Sequence, residues 1–316
     1  MNAILILCHK NWAQTKRLME HLKSPETDLF VHVDVKYTDW QEPEAEPGVY
    51  FLRDRRSGEL FHKSLVEIEL ALIGLAKDVE RAEGKHYRYD LTMSGQDYPL
   101  KPVSFINEQL RQTYPKPYLD AVPRDPEGKN WVYSSFRRNP TVLKAWREMK
   151  ESRNPIRREF FHVYAHIVWK LANRFHFTAH DYYRRRGIEV YGGAQWWIIP
   201  DVLMDFIWEK KDEDWCERLK YAGHPDECWF HTIAMQSPMA GEILVFPTEH
   251  SAFPCRTWVS FFEEGQPFTG HPYPITMKHY EQLVSSHWWF ARKFDADVDS
   301  EILDRLDEHL KRQEAI

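Results

Sequence analysis

A chain of 316 residues, 43 % hydrophobic and 15 % aromatic, can bury a substantial core, which excludes a disordered chain and points to one large domain over 1–316. Its net charge of −6 gives no bulk attraction to nucleic acid, and 13 Trp exceed what packing requires and suit stacking on sugars or bases. Four cysteines, Cys8, Cys216, Cys228 and Cys255, stand far apart without a CxxC pair, which argues against a zinc site or a disulfide framework and for a reducing, cytoplasmic setting.

Ala3 to Cys8 (AILILC) is a continuous apolar run, the pattern of a buried strand, and it breaks at His9-Lys10. It follows no basic n-region and no apolar stretch of about 18 residues, so neither a signal peptide nor a membrane anchor is expected. Leu18, Met19 and Leu22 then mark a helix. Leu29 to Val33 reads as a second strand closed by Asp34, Val49 to Leu52 as a third, Ser64 to Glu83 as a helix, and Tyr89 to Met93 as a fourth strand. This last strand ends in the polar loop Ser94-Gly95-Gln96-Asp97-Tyr98-Pro99. Strands alternating with helices imply an α/β fold with an open, mostly parallel sheet flanked by helices. Ligands of such sheets bind beyond the carboxyl ends of the strands, where His9-Lys10, Asp34-Val35-Lys36 and Gly95 fall. No GxGxxG or GxxxxGK[ST] occurs, so a glycine cradle for phosphates has no support.

Between Arg137 and Arg186 there are 13 Lys and Arg against 4 Asp and Glu, an excess of +9 in a chain of net −6. The plain reading is a solvated basic helix docked on the core; the sharper one is a surface for an anionic acceptor or a peripheral contact with an anionic membrane through 137–186. Tyr191 to Ile199 (YGGAQWWII) is a small-residue turn entering a strand, and along that strand Trp196 and Trp197 point opposite ways, so one faces a ligand and the other the core. Pro225-Asp226-Glu227 starts a helix that continues over Cys228 to Ala234, with Pro giving up only an orphan N–H and the acids facing the positive helix end. Ile243 to Phe246 reads as a strand, and Ile302, Leu303, Leu306 and Leu310 mark a last helix from Glu301 to Gln313.

Six stretches in this order resemble blocks of the core-2/I-branching β-1,6-N-acetylglucosaminyltransferase family, which includes the peptide O-xylosyltransferases. They are Cys8-His9-Lys10, His32-Val33-Asp34-Val35-Lys36, Ser94 to Pro99, Gly192-Gly193-Ala194-Gln195-Trp196, Pro225-Asp226-Glu227 and Ala291-Arg292-Lys293-Phe294-Asp295. The resemblance implies a GT-A type fold, a UDP-linked sugar donor carrying GlcNAc or xylose, a glycan or other hydroxyl acceptor, and inversion at the anomeric carbon without a divalent metal. Asp34-Val35-Lys36 agrees with the last point, because Lys stands where metal-using members of this fold class place a second carboxylate. The chain departs from the family at Leu60-Phe61-His62-Lys63-Ser64, where Trp-Gly is common before the Ser, and no Arg near Gly270-His271 matches the one that assists the diphosphate in animal members. The region 116–186 is also poorly matched and is where acceptor choice is expected.

Displacing a nucleotide diphosphate by a sugar hydroxyl needs a base and positive charge for the leaving group. Glu227 is the candidate base, a role that supplies about 10²- to 10⁴-fold in rate. Lys293, with Arg292 and Arg256 behind it, is the candidate for the diphosphate. His9, Asp34 and Gly95 complete the donor side, Asp34 accepting from ribose or uracil, while Asp97, Gln195 and Trp196 are placed on the acceptor side. Two other classes stay open: a glycoside hydrolase, for which Asp97 would be the second carboxylate, and a non-catalytic carbohydrate-binding protein.

Overall fold

The structure, a computed structural model, describes residues 1–38, 40–60, 62–125, 131–132, 145, 148–149, 152–175, 179–247, 255–261 and 272–314. Phe61, Gly270-His271 and, within the basic region, 137–144, 146–147, 150–151 and 176–178 lie outside the described residues.

Strand β1 (Asn2–Cys8) is the centre of a five-stranded sheet. It pairs in parallel with β2 (Thr27–Val33) on one side and with β4 (Tyr89–Ser94) on the other. The parallel strand β3 (Val49–Phe51) extends the sheet beyond β2, and an antiparallel edge strand, β8 (Ile198–Pro200), closes it beside β4. The apolar run of β1 follows from cover on both faces. Ala3, Leu5 and Leu7 point into a core shared with Val66, Ile73 and Ala76 of helix α2 (Ser64–Glu83). Ile4, Ile6 and Cys8 point the other way, to Leu18 and Leu22 of α1 (Trp12–Leu22) and to Leu306 and Leu310 of the last helix (Glu301–Glu314).

A second sheet decides where the site forms. Asp97–Pro99 (β5) is a short strand rather than the loop expected from its polarity, and it pairs antiparallel with Phe290–Arg292, which in turn runs parallel to Trp258–Ser260. That register sets Arg292 directly across from Asp97. A two-residue ribbon, Val122–Pro123 (β6) with Tyr191–Gly192 (β7), brings the Gly192-Gly193 turn against the segment around Asp120. The strand expected at Ile243 to Phe246 is not formed: only Val245 bridges, to Ala121, after a 3₁₀ turn at Ala240–Glu242. Helix Pro225–Ala234 starts with Pro in its first turn and continues to Ala234, as expected from Pro225-Asp226-Glu227.

Candidate active site

The loops after β1, β2 and β4 are tied together at the carboxyl edge of the sheet. Asp34 N–H donates to Cys8 O at 2.8 Å and Gly95 N–H to Leu7 O at 3.0 Å. Gln14, buried on α1, donates to Gly95 O at 2.9 Å and to Phe294 O at 3.2 Å, and accepts from Ala296 N–H at 2.8 Å. One amide thus fixes the segment after Arg292-Lys293 against two strand ends. Gly95 is required for this packing, because a Cβ there would run into Thr15 Oγ1.

Arg292 is the hub. Its guanidinium lies 4.0 Å over the Trp196 ring, and Nε is 3.7 Å from Asp97 Oδ1, beyond hydrogen-bond range. Nε and Nη1 are buried and make no hydrogen bond. Burial lowers the Arg292 pKa, while the charges of Asp97 and Glu227 hold it up. Glu227 feels the same interaction from its side: burial and the Asp226 charge push its carboxyl well above the usual range, and Arg292 pulls it back. Its Oε2 is buried without a partner. Asp226 is buried beside it, its pKa raised to about 6 by burial and pulled back by the N–H groups of Asp226 and Glu227 at the helix start; the N-cap position itself is His224, with no side-chain capping bond.

Lys293 and His9 border this centre. Burial, then Arg292 and Lys10, lower the Lys293 pKa, and burial, then Lys293, lowers that of His9. Lys10 is held by Asp295 at 2.6 Å. The site is therefore a concentration of positive charge around a buried carboxyl group whose pKa is raised by burial and by Asp226. Trp196 precedes the strand instead of lying in it, and its ring carries Arg292; Trp197 packs inside, 4.7 Å from Phe230, as the opposite-facing pair requires.

Four expected ligand contacts are engaged within the protein. Asp34 Oδ1 accepts from Lys36 N–H at 2.8 Å and Oδ2 from Gly58 N–H at 2.7 Å, so its carboxylate braces the loop after β2. Arg256 is bound to the buried Asp120, Nε to Oδ1 at 2.5 Å and N–H to Oδ2 at 2.7 Å, which neutralises the charge assigned to the diphosphate. Gln195 turns inward and donates to Glu69 Oε1 at 3.1 Å. Asp97, expected on the acceptor side, is fully buried, accepts from Ser94 N–H at 2.5 Å through Oδ2, leaves Oδ1 without a partner 3.7 Å from Arg292 Nε, and has its pKa raised to about 6 by burial against the pull of Arg292.

Glu69 and His231 were not singled out in the sequence. Glu69 is fully buried on α2, its Oε2 unpaired and its pKa raised well above normal by burial and by Asp226. It shares the inward face with Val66, Ile73 and Ala76, a spacing that makes an acid conspicuous. His231, one turn after Glu227, is buried with both ring nitrogens unpaired, and a Cβ on Gly193 would strike it and the Asp120 carbonyl. Gly193 N–H in turn donates to Glu227 O at 2.9 Å. Among the described residues no group of three or more His, Cys, Asp or Glu could hold a metal ion, and no helix is long and apolar enough to cross a membrane.

No family model matches the chain. Xylosyltransferase 2 of Rattus norvegicus is 22 % identical over 323 residues, and that of Mus musculus 22 % over 324 residues, in both cases across 94 % of this chain. The chain is a distant homologue of xylosyltransferase 2. It spans 32 % of the length of each of these relatives. This homology agrees with the core-2/I-branching resemblance carried by the six motif blocks, five of which, around His9, Asp97, Trp196, Glu227 and Arg292, bear on the charged centre just described.

Proposed function

We propose that this protein is an inverting glycosyltransferase of GT-A type that moves a sugar from a UDP-sugar to a hydroxyl of a glycan or similar acceptor without a divalent metal. The observation that carries the reading is the pairing of unsatisfied buried atoms: Glu227 Oε2 on one side, Arg292 Nε and Nη1 on the other. Buried polar atoms are expensive without partners, so such a cluster at strand ends calls for a polar ligand. The acceptor oxygen attacks the anomeric carbon as the bond to the diphosphate oxygen breaks. Glu227 takes the hydroxyl proton, and UDP leaves with its negative charge met by Arg292 and Lys293. Burial and the Asp226 charge raise the Glu227 carboxyl above the ordinary carboxylate range, which makes its ionised form a stronger base. Lys293, the leading candidate, shares the cation role with Arg292, Arg256 being held by Asp120, and Trp196 supplies a flat wall. His9 borders the nucleotide side, and Asp34 acts through the loop it braces.

The relatives' name brings xylose forward as the sugar, with GlcNAc as the alternative implied by the wider family. Incubated in EDTA with UDP-xylose or UDP-GlcNAc and a panel of glycans, the protein is expected to release UDP and to give a product of inverted anomeric configuration by NMR. A strict need for Mn²⁺ would overturn the metal-free reading, and retained configuration would overturn single displacement.

A further inference from the structure

Helix α4 (Pro155–Arg174) carries two apolar faces. One is seated: Phe161, Ala165, Val168 and Trp169 pack with Ala145 in a cluster separate from the main core. The other is not. Ile156, Phe160, Val163, Tyr164, Ile167 and Leu171 are each 40 % to 80 % exposed. Their spacing is i, i+4, i+7, i+8, i+11 and i+15, which at about 100° per residue confines them to an arc of about 100°. Phe160 and Tyr164 stack within it, ring centroids 6.2 Å apart. Single exposed apolar residues are ordinary, but a continuous stripe running the length of a helix marks a surface that meets something apolar.

Charge decides what that is. The helix holds Arg157, Arg158, Lys170 and Arg174 against the one acid Glu159. Glu159 stands 3.6 Å from His162, and Arg157 is taken by Glu148 at 2.7 Å. Lys170 and Arg174 are exposed, make no ion pair among the described residues, and by helical phase fall beside and within the stripe. A second copy meeting this one through the same face would bring like charges together. An anionic bilayer instead accepts both parts, the apolar stripe at the boundary of headgroups and acyl chains and the long basic side chains at the phosphates. The helix is not apolar enough to cross, so it would lie in the plane of the surface.

We propose that helix α4 docks the protein on an anionic membrane surface through the Ile156 to Leu171 stripe, with Lys170 and Arg174 as its phosphate contacts. This stands apart from the sugar-transfer reading, and its test does not use activity. The full chain is sedimented with vesicles of equal parts phosphatidylglycerol and phosphatidylcholine, and with vesicles of phosphatidylcholine alone, at low and high salt. It is expected to pellet with the anionic vesicles at low salt and to stay in solution with the neutral ones. The double variant Phe160→Glu/Ile167→Glu should lose binding by more than about tenfold, and Lys170→Gln/Arg174→Gln should lose most of the anionic preference. All four positions are exposed, and circular dichroism melting verifies that each variant folds as the parent does. Absence of pelleting at low salt, or equal pelleting of the Glu variant, would overturn the proposal. So would a dimer by light scattering that the Glu variant dissolves, since that assigns the stripe to a second copy.

Discussion

Glu69 shows how far the electrostatics of the site reach beyond the residues that would touch substrate. It accepts from Gln195 through Oε1 and leaves Oε2 unpaired in a fully buried setting, where burial and the Asp226 charge raise its pKa well above the ordinary carboxyl value. A shift in this direction favours the neutral form, in which Glu69 would add no further negative charge behind Asp226 and Glu227 and would leave Arg292 to balance those acids. Glu69→Gln, which replaces one neutral group by another of the same shape, is expected to change stability by less than about 1 kcal/mol in urea denaturation at neutral pH. Had the carboxylate been ionised, the same change would remove a buried charge and shift stability by several times as much. Asp97 differs in that it faces a cation directly, its Oδ1 3.7 Å from Nε of the Arg292 side chain that lies over Trp196.

The helix that begins at Pro225 joins this chemistry to the stability of the fold. Its first turn supplies Asp226 and Glu227, and its next turn on the same side supplies His231, whose pKa burial pushes down to about 3. The folded protein therefore refuses a proton that the unfolded chain accepts below its ordinary value of about 6.5. Stability from this source is fully present above that value and is lost as pH falls toward 3, by up to about 1.4 kcal/mol per pH unit. Asp97 acts in the opposite sense, since the folded state binds its proton from about pH 6 downward, earlier than an ordinary carboxyl does. Comparing the parent with His231→Leu isolates the first effect. Urea titrations at pH 7 and pH 5 are expected to show a smaller loss on acidification in the variant, and an equal loss would contradict a buried neutral His231.

Across the whole molecule, what could be read in the sequence is what local pattern determines. The apolar run of β1, the bounds of α2 and the inward residues of the last helix agree with expectation because each element has a continuous or periodic apolar face. The three-stranded sheet is not legible in the sequence because Asp97–Pro99, Phe290–Arg292 and Trp258–Ser260 are each three residues long and gain their strand character only from pairing with segments far away in the chain. The roles of Arg256 and Asp34 shifted for a related reason: their partners Asp120 and Gly58 lie 136 and 24 residues away in the chain. Glu227, Arg292 and Lys293 could be named from their motif blocks, but their mutual electrostatics appears only when those blocks converge.

The central claim is that Glu227 takes the acceptor proton while Arg292 and Lys293 hold the diphosphate, and Glu227→Gln separates the two. With the best UDP-sugar and acceptor, single-turnover kinetics of Glu227→Gln should fall by about 10²- to 10⁴-fold, while UDP affinity by calorimetry stays close to that of the parent. Turnover within a few-fold of the parent, with UDP still bound, would contradict the account.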